Sequence, residues 1–325
     1  MARSTFRRLA LASAVTLFAT AAFARGGAVA LIPNDAVSVG VVRVADLRTS
    51  PLSSTLFQHA DKFGSDGEAE RFLTEAGLDL AKDIDLLVVA TSPKTRLGSE
   101  AEVVVVAEGR FNVERLTGAM VARGAVRKSS QFGEYFVLPD EREPKGAVAF
   151  ADSTLAIAGM ESAVLETLEA RRSGGTAFEQ SLLGHEMSRI DANASAWALV
   201  DVIRAARLTG GHSRLRADSN NRNADALHAA IRNISRVGMW AKDTGGALEL
   251  GAFGLASDAE TLQLVEDTLR GALAAMRLAV KDKAPDMVPV LRRFDVERSS
   301  DAVRVSGSIP AESIRKIMAM KHAKK

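Results

Sequence analysis

The chain has 325 residues, 42 Lys plus Arg against 40 Asp plus Glu, 47% hydrophobic residues and no cysteine. Those fractions are those of an ordinary globular protein and exclude a wholly disordered, collagen-like or multi-pass membrane chain. The lack of cysteine excludes disulfides, thiolate metal sites and cysteine nucleophiles.

Arg3, Arg7 and Arg8 precede an apolar run from Leu9 to Phe23, which closes on Ala22, Phe23 and Ala24. A basic start, a short apolar stretch and small residues at its end mark a secretory signal peptide, with cleavage expected after Ala24. The run falls short of the roughly 20 residues that span a bilayer as a helix, and no later stretch is long and apolar enough. The mature protein is therefore expected to be periplasmic or secreted, without a transmembrane span. Removing residues 1–24 takes away three arginines and no acids, which turns the formal net charge from +2 to about −1. A nearly neutral chain with 13 Phe, 2 Trp and 1 Tyr has neither the field nor the stacking platforms for nucleic acid.

The period of two in Val37, Val39 and Val41 predicts a strand from Ala36 to Val44, ending at Asp46. Ser50 and Pro51 read as a helix start, with helical pattern over 52–63 and 68–76 and a stop at Gly77. Asp85 to Ala90 carries Leu86, Leu87, Val88 and Val89, and Glu102 to Ala107 carries Val103 to Val106, each without polar interruption, as in central strands covered on both faces. Asn112 caps a predicted helix to Ala122, stopped by Gly124. Strands follow around Tyr135 to Leu138, Ala147 to Phe150 and Thr154 to Ala158, then a helix from Glu161 to Arg172. The second half offers a strand from Ala194 to Val200 ending at Asp201, a helix over 224–234, and strands Arg236 to Lys242 and Ala247 to Leu255 joined by Asp243, Thr244, Gly245 and Gly246. Ser257 and Glu260 read as a capping box for a long helix with Leu262, Val265, Leu269 and Leu273 on one stripe. A hairpin over Phe294 to Ile309 and a terminal helix opened by Pro310 complete the chain.

Each half thus reads strand, helix, hairpin, helix, hairpin, helix. The expected fold is α+β: an internally duplicated unit forming a mainly antiparallel sheet with helices on one face. The expected organisation is a signal peptide over 1–24, a first repeat over 25–178 and a second over 179–325. The opening Ile32, Pro33, Asp35, Ala36, then Val39, Gly40, Val41, and Asp46 to Leu52, resembles the start of uncharacterised exported bacterial proteins. Leu155 to Gly159 running into Ala163, Val164 and Leu168 is similar to their strand-to-helix junction. The resemblance implies no activity, substrate or catalytic residue.

The chemistry is read mostly by subtraction. The five histidines are scattered, and His185–Glu186 fails as a zinc-protease pair because Arg189 stands where the second histidine is needed. Ser313 and Lys316 match Ser-x-x-Lys too near the carboxyl end for a penicillin-type site. No nucleophile elbow, P-loop, dinucleotide fingerprint or calcium loop is present. No catalytic residue, metal ligand or cofactor is therefore assigned. Asp46 and Asp201, at the ends of equivalent strands, read either as caps of the next helix or turn or as the carboxylates of a periplasmic hydrolase. Arg204, Arg207, Arg214, Arg216 and Arg222 face a single acid, Asp218, in a turn-prone stretch. That stretch is either a solvated insertion or a grip for an unknown envelope protein or anionic ligand. The expected role is binding or structural.

Overall fold

Alternation within single strands decides which residues face which side. In β1 (Ser38–Val42), Val39 and Val41 are buried on one face while Gly40 and Val42 point to the other. The computed structural model of the protein describes residues 27–50, 74–94, 100–139, 145–208 and 234–322. Within them β2 (Ile84–Pro93), β3 (Ala101–Gly109), β4 (Val126–Ser130), β5 (Gly133–Val137), β6 (Gly146–Asp152) and β7 (Leu155–Met160) belong to the first half. The second contributes β8 (Ala196–Asp201), β9 (Arg236–Asp243), β10 (Ala247–Leu255), β11 (Asp295–Arg298) and β12 (Ala302–Pro310). All join one antiparallel sheet in the order β11-β12-β10-β9-β8-β1-β2-β3-β7-β6-β5-β4.

The helices are α1 (Val44–Arg48), α2 (Leu80–Asp83), α3 (Val113–Ala122), α4 (Glu161–Arg172), α5 (Val202–Leu208), α6 (Ala259–Lys283), α7 (Val288–Leu291) and α8 (Ala311–His322). They lie on both faces, not on one as the segment pattern suggested. On the first face Ala163, Val164 and Leu168 of α4, with Phe178 and Leu183 of the following 3-10 turns, pack on Val39, Val41, Val106, Ile157 and Leu199. On the second, Leu116 of α3 packs with Ile84, Ala107 and Phe111, and Leu262, Val265 and Leu273 of α6 pack with Val296 and Val303. The reason lies in β2 and β3, whose apolar residues fall on odd and even positions alike and so need cover on both sides.

Outward from the β1–β8 pair, the sheet passes through β2, β3, β7 and β6 on one side and β9, β10, β12 and β11 on the other. The first side alone carries the further hairpin β4–β5. β4 has the sequence VRKSS, offers no apolar alternation to detect, and is exposed over most of its length at the sheet edge. Arg127 and Lys128 there discourage pairing with another chain. One apolar cluster takes in Val39, Ile157, Leu199, Phe253 and Ala302, so both expected repeats share a core. The boundary between residues 178 and 179 falls inside the 3-10 turn Phe178–Gln180.

Asn112 caps α3 as expected, its side chain accepting from the Arg115 N–H at 3.0 Å. The cap of α6 sits one residue beyond the expected Ser257: Asp258 accepts from the Thr261 N–H at 2.7 Å. The helical patterns over 52–63 and 224–233, and most of 68–76, lie outside the described residues. Among the described residues no helix is long and apolar enough to cross a membrane.

Candidate functional site

Two depressions of opposite character flank the central strands. The first is an apolar groove on the second face of the sheet. Registers Gly40↔Ala198, Val42↔Ala196, Ala198↔Met239, Ala196↔Ala241, Leu250↔Ala241 and Ala252↔Met239 set these side chains on that face across β1, β8, β9 and β10. Most are Gly or Ala, so the face is recessed rather than filled, and the space measures about 510 Å³. Phe294 and Val305 border it on the α6 side. Phe294 can lie there because Gly307 of β12 has no side chain; a Cβ at that position would meet the ring. No charged residue is among the described residues that line the groove, and Met239 is 50% exposed.

The second depression is polar and lies at the ends of β1, β2 and β3. It consists of two adjoining spaces of about 840 and 750 Å³ that share Gly27, Asp85 and Glu108. Asp46 and Glu179 add carboxylates to the larger space and Asp152 to the smaller, with Arg43, His185 and Arg171 as the basic groups. Asp85 is paired with Arg48 at 2.6 Å, whose Nε also donates to the Ala81 carbonyl. Burial pushes the Asp152 carboxyl up, but bonds from the Thr154 hydroxyl and N–H and from Arg171 outweigh it and hold the pKa at about 2. Glu108 accepts a hydrogen bond from the Ala28 N–H, which ties β3 to the 3-10 turn Ala28–Leu31.

The two aspartates at strand ends part company. Asp201 is buried and caps α5, its Oδ1 accepting from the Arg204 N–H at 2.9 Å. Asp46 lies within the first turn of α1 and caps nothing; the residue before that helix, Arg43, makes no side-chain cap either. Asp46 instead lines the larger polar space. Of the arginine set, Arg204 donates through Nη2 to the Asp35 carbonyl at 2.7 Å and Arg207 is exposed on α5. Arg214, Arg216 and Arg222 lie outside the described residues. The structure thus engages Arg204 in the fold itself.

Neither depression was found from the sequence. The groove could have been signalled by small residues at alternate positions, Gly40, Ala196, Ala198 and Ala241, opposite large ones in the same strands. Among the described residues no three His, Asp or Glu side chains come together to hold a metal ion.

No protein-family model matches the chain, and no curated protein matches it. Its fold is similar to a solved one. The structure of crystal form III of TP0453 aligns with a TM-score of 0.52 at 10% sequence identity, covering 89% of this chain and 97% of that chain. Crystal form IV of TP0453 aligns with a TM-score of 0.47 at 9% identity, covering 89% and 95%. At such identity the likeness to crystal form III is one of fold, and fold alone assigns no chemistry.

Proposed function

We propose that this chain is an exported protein of the bacterial envelope that acts by binding, and that the apolar groove is its contact surface. The recessed second face of β1, β8, β9 and β10 carries this reading. A wholly apolar space of about 510 Å³ is of the size that takes a small ligand or a segment of a partner. Desolvating it favours an apolar occupant, at roughly 25 cal/mol per Å² of apolar surface removed from water. The resemblance to exported bacterial proteins and the leader-like sequence pattern over 1–24 support the address. Within this reading the partner is an envelope component with an apolar portion.

The test is equilibrium binding of an apolar fluorescent probe such as anilinonaphthalene sulfonate to the native protein. The wild-type protein should bind it saturably, and Ala198→Phe, which places a ring in the groove, should weaken binding at least tenfold with unfolding still cooperative. Equal binding by wild type and Ala198→Phe would overturn the assignment of the groove. The hydrolase alternative rests on Asp46 alone, since Asp201 is committed to capping α5.

A further inference from the structure

The shape of the apolar groove selects among apolar occupants. Along β1 its floor is Gly40 and Val42, and along β9 it is Met239 and Ala241, so the floor is two side-chain rows wide, with about 7 Å between rows. Its long axis crosses the strands: Gly40 pairs with Ala198, Ala198 with Met239, Met239 with Ala252 and Ala252 with Val305. The four steps from β1 to β12 span about 19 Å.

A partner helix, about 10–12 Å across with its side chains, overhangs both rows, and a stretch of about 19 Å fills more than twice the space of about 510 Å³. An extended peptide matches the width, but its N–H and C=O groups would be buried against a floor of glycine, alanine, valine, leucine and methionine. The backbone groups of the floor are already used in the ladders, so those of the peptide would go unanswered. A single hydrocarbon chain fits the width and buries no polar group.

The two ends of the groove differ in charge. At the α6 end, Arg277 donates to the Leu291 carbonyl through Nε at 3.3 Å and Nη2 at 3.1 Å, and through Nη2 to the Phe294 carbonyl at 3.1 Å. These bonds hold its guanidinium beside the residue that borders the groove. Arg292 and Arg293, just before Phe294, are exposed. Among the described residues none of the three arginines pairs with a carboxylate. The nearby acid Asp295 accepts through Oδ1 from the Val296 N–H at 2.9 Å. At the β1 end the first cation is Arg43, which shares the polar depression with Asp46 and Glu179. The α6 end is therefore the one that suits an anionic head.

We propose that the groove holds one long-chain fatty acid, its hydrocarbon chain laid across β10, β9, β8 and β1 and its carboxylate at Arg277. The inference rests on the reading of the groove as a contact surface and names its ligand.

The test titrates the native protein with palmitate, below its micellar concentration, and follows displacement of anilinonaphthalene sulfonate. Palmitate should displace the probe at one site per chain, and affinity should fall roughly tenfold for each two carbons removed, through myristate and laurate. The methyl ester of palmitate, with the same chain and no charge, should bind several-fold more weakly. Arg277→Gln should weaken palmitate by a similar factor and leave the ester unchanged. Should Arg277→Gln fail to fold, the comparison of palmitate with its ester on the wild-type protein decides. No displacement, displacement independent of chain length, or an ester that binds as tightly as the acid overturns the proposal. A dimer in sedimentation that Ala198→Phe dissociates identifies a second copy as the occupant and overturns it too. Probe binding that Ala198→Phe weakens but palmitate does not displace defeats only the fatty acid. Probe binding unchanged in Ala198→Phe defeats the reading of the groove itself.

Discussion

β1 and β8 present two faces made from the same backbone. One carries Val39, Val41, Trp197 and Leu199, buried beneath α4 and the turns that follow it. The other carries Gly40, Val42, Ala196 and Ala198, which floor an open groove. Both faces are apolar, so polarity does not separate buried core from open groove here. Side-chain volume does: large residues reach across to their covering elements, whereas glycine and alanine leave the space between sheet and neighbours empty.

The largest test of this contrast is Leu199→Ala. Leu199 is fully buried, so truncation should cost about 2–5 kcal/mol in chemical denaturation. Ala198→Phe, one residue away on the open face, should cost much less because its ring enters existing space. A larger loss for Ala198→Phe than for Leu199→Ala would break the comparison.

A smaller effect separates the two strand-end aspartates. Asp201→Ala should cost about 0.5–2 kcal/mol through loss of the α5 cap. Asp46→Asn, which removes no cap, should fall within about 0.5 kcal/mol. Equal losses in denaturant titrations of the two variants would show that Asp46 has a structural role its position does not reveal. Loss of a measured hydrolytic activity in folded Asp46→Asn would instead favour the enzyme alternative.

The smallest effect sharpens the contrast between groove and polar depression. The Asp152 carboxyl is held at about 2 in the folded protein, below its ordinary value of 3.8. A depressed folded value means that its contribution is fully present above about pH 4 and is lost as pH falls through about 2. Asp152 is partly exposed, so solvent screening keeps the contribution modest. Asp152→Asn should flatten the acid limb of the stability profile between those limits. Binding of an uncharged apolar probe in the groove should not follow that limb. An unchanged acid limb in the variant would show that the Thr154 and Arg171 bonds do not persist in solution.

Elements were legible where local chemistry is strong. Asp243 to Gly246 announced the β9–β10 hairpin, and the structure gives β9 ending at Asp243 and β10 starting at Ala247, with Gly245 at φ 78°. Asn112 announced the start of α3. β4 was illegible because an edge strand of Arg, Lys and Ser buries too little to leave a pattern. The two-sided distribution of helices was implicit in the unbroken apolar runs of β2 and β3, but the order of segments does not say which face each helix takes. The groove depends on register: Gly40, Ala198 and Met239 become neighbours only once β1, β8 and β9 are paired. The polar depression gathers residues as distant in sequence as Gly27, Glu108 and His185, which no local pattern links.

The pairing of Ser38 with Val200 and of Val42 with Ala196 also sets a timetable. During synthesis, which proceeds from the amino end, β1 can meet β2 early, but its other edge stays bare until β8 has followed. Contacts of such long sequence separation are slow to form, because loop closure must be completed before they give any return. Until then the centre of the sheet is an exposed edge of alternating valines, the kind of template that recruits foreign strands. The nascent chain therefore needs either rapid delivery of its second half or a chaperone able to shield that edge until β8 arrives.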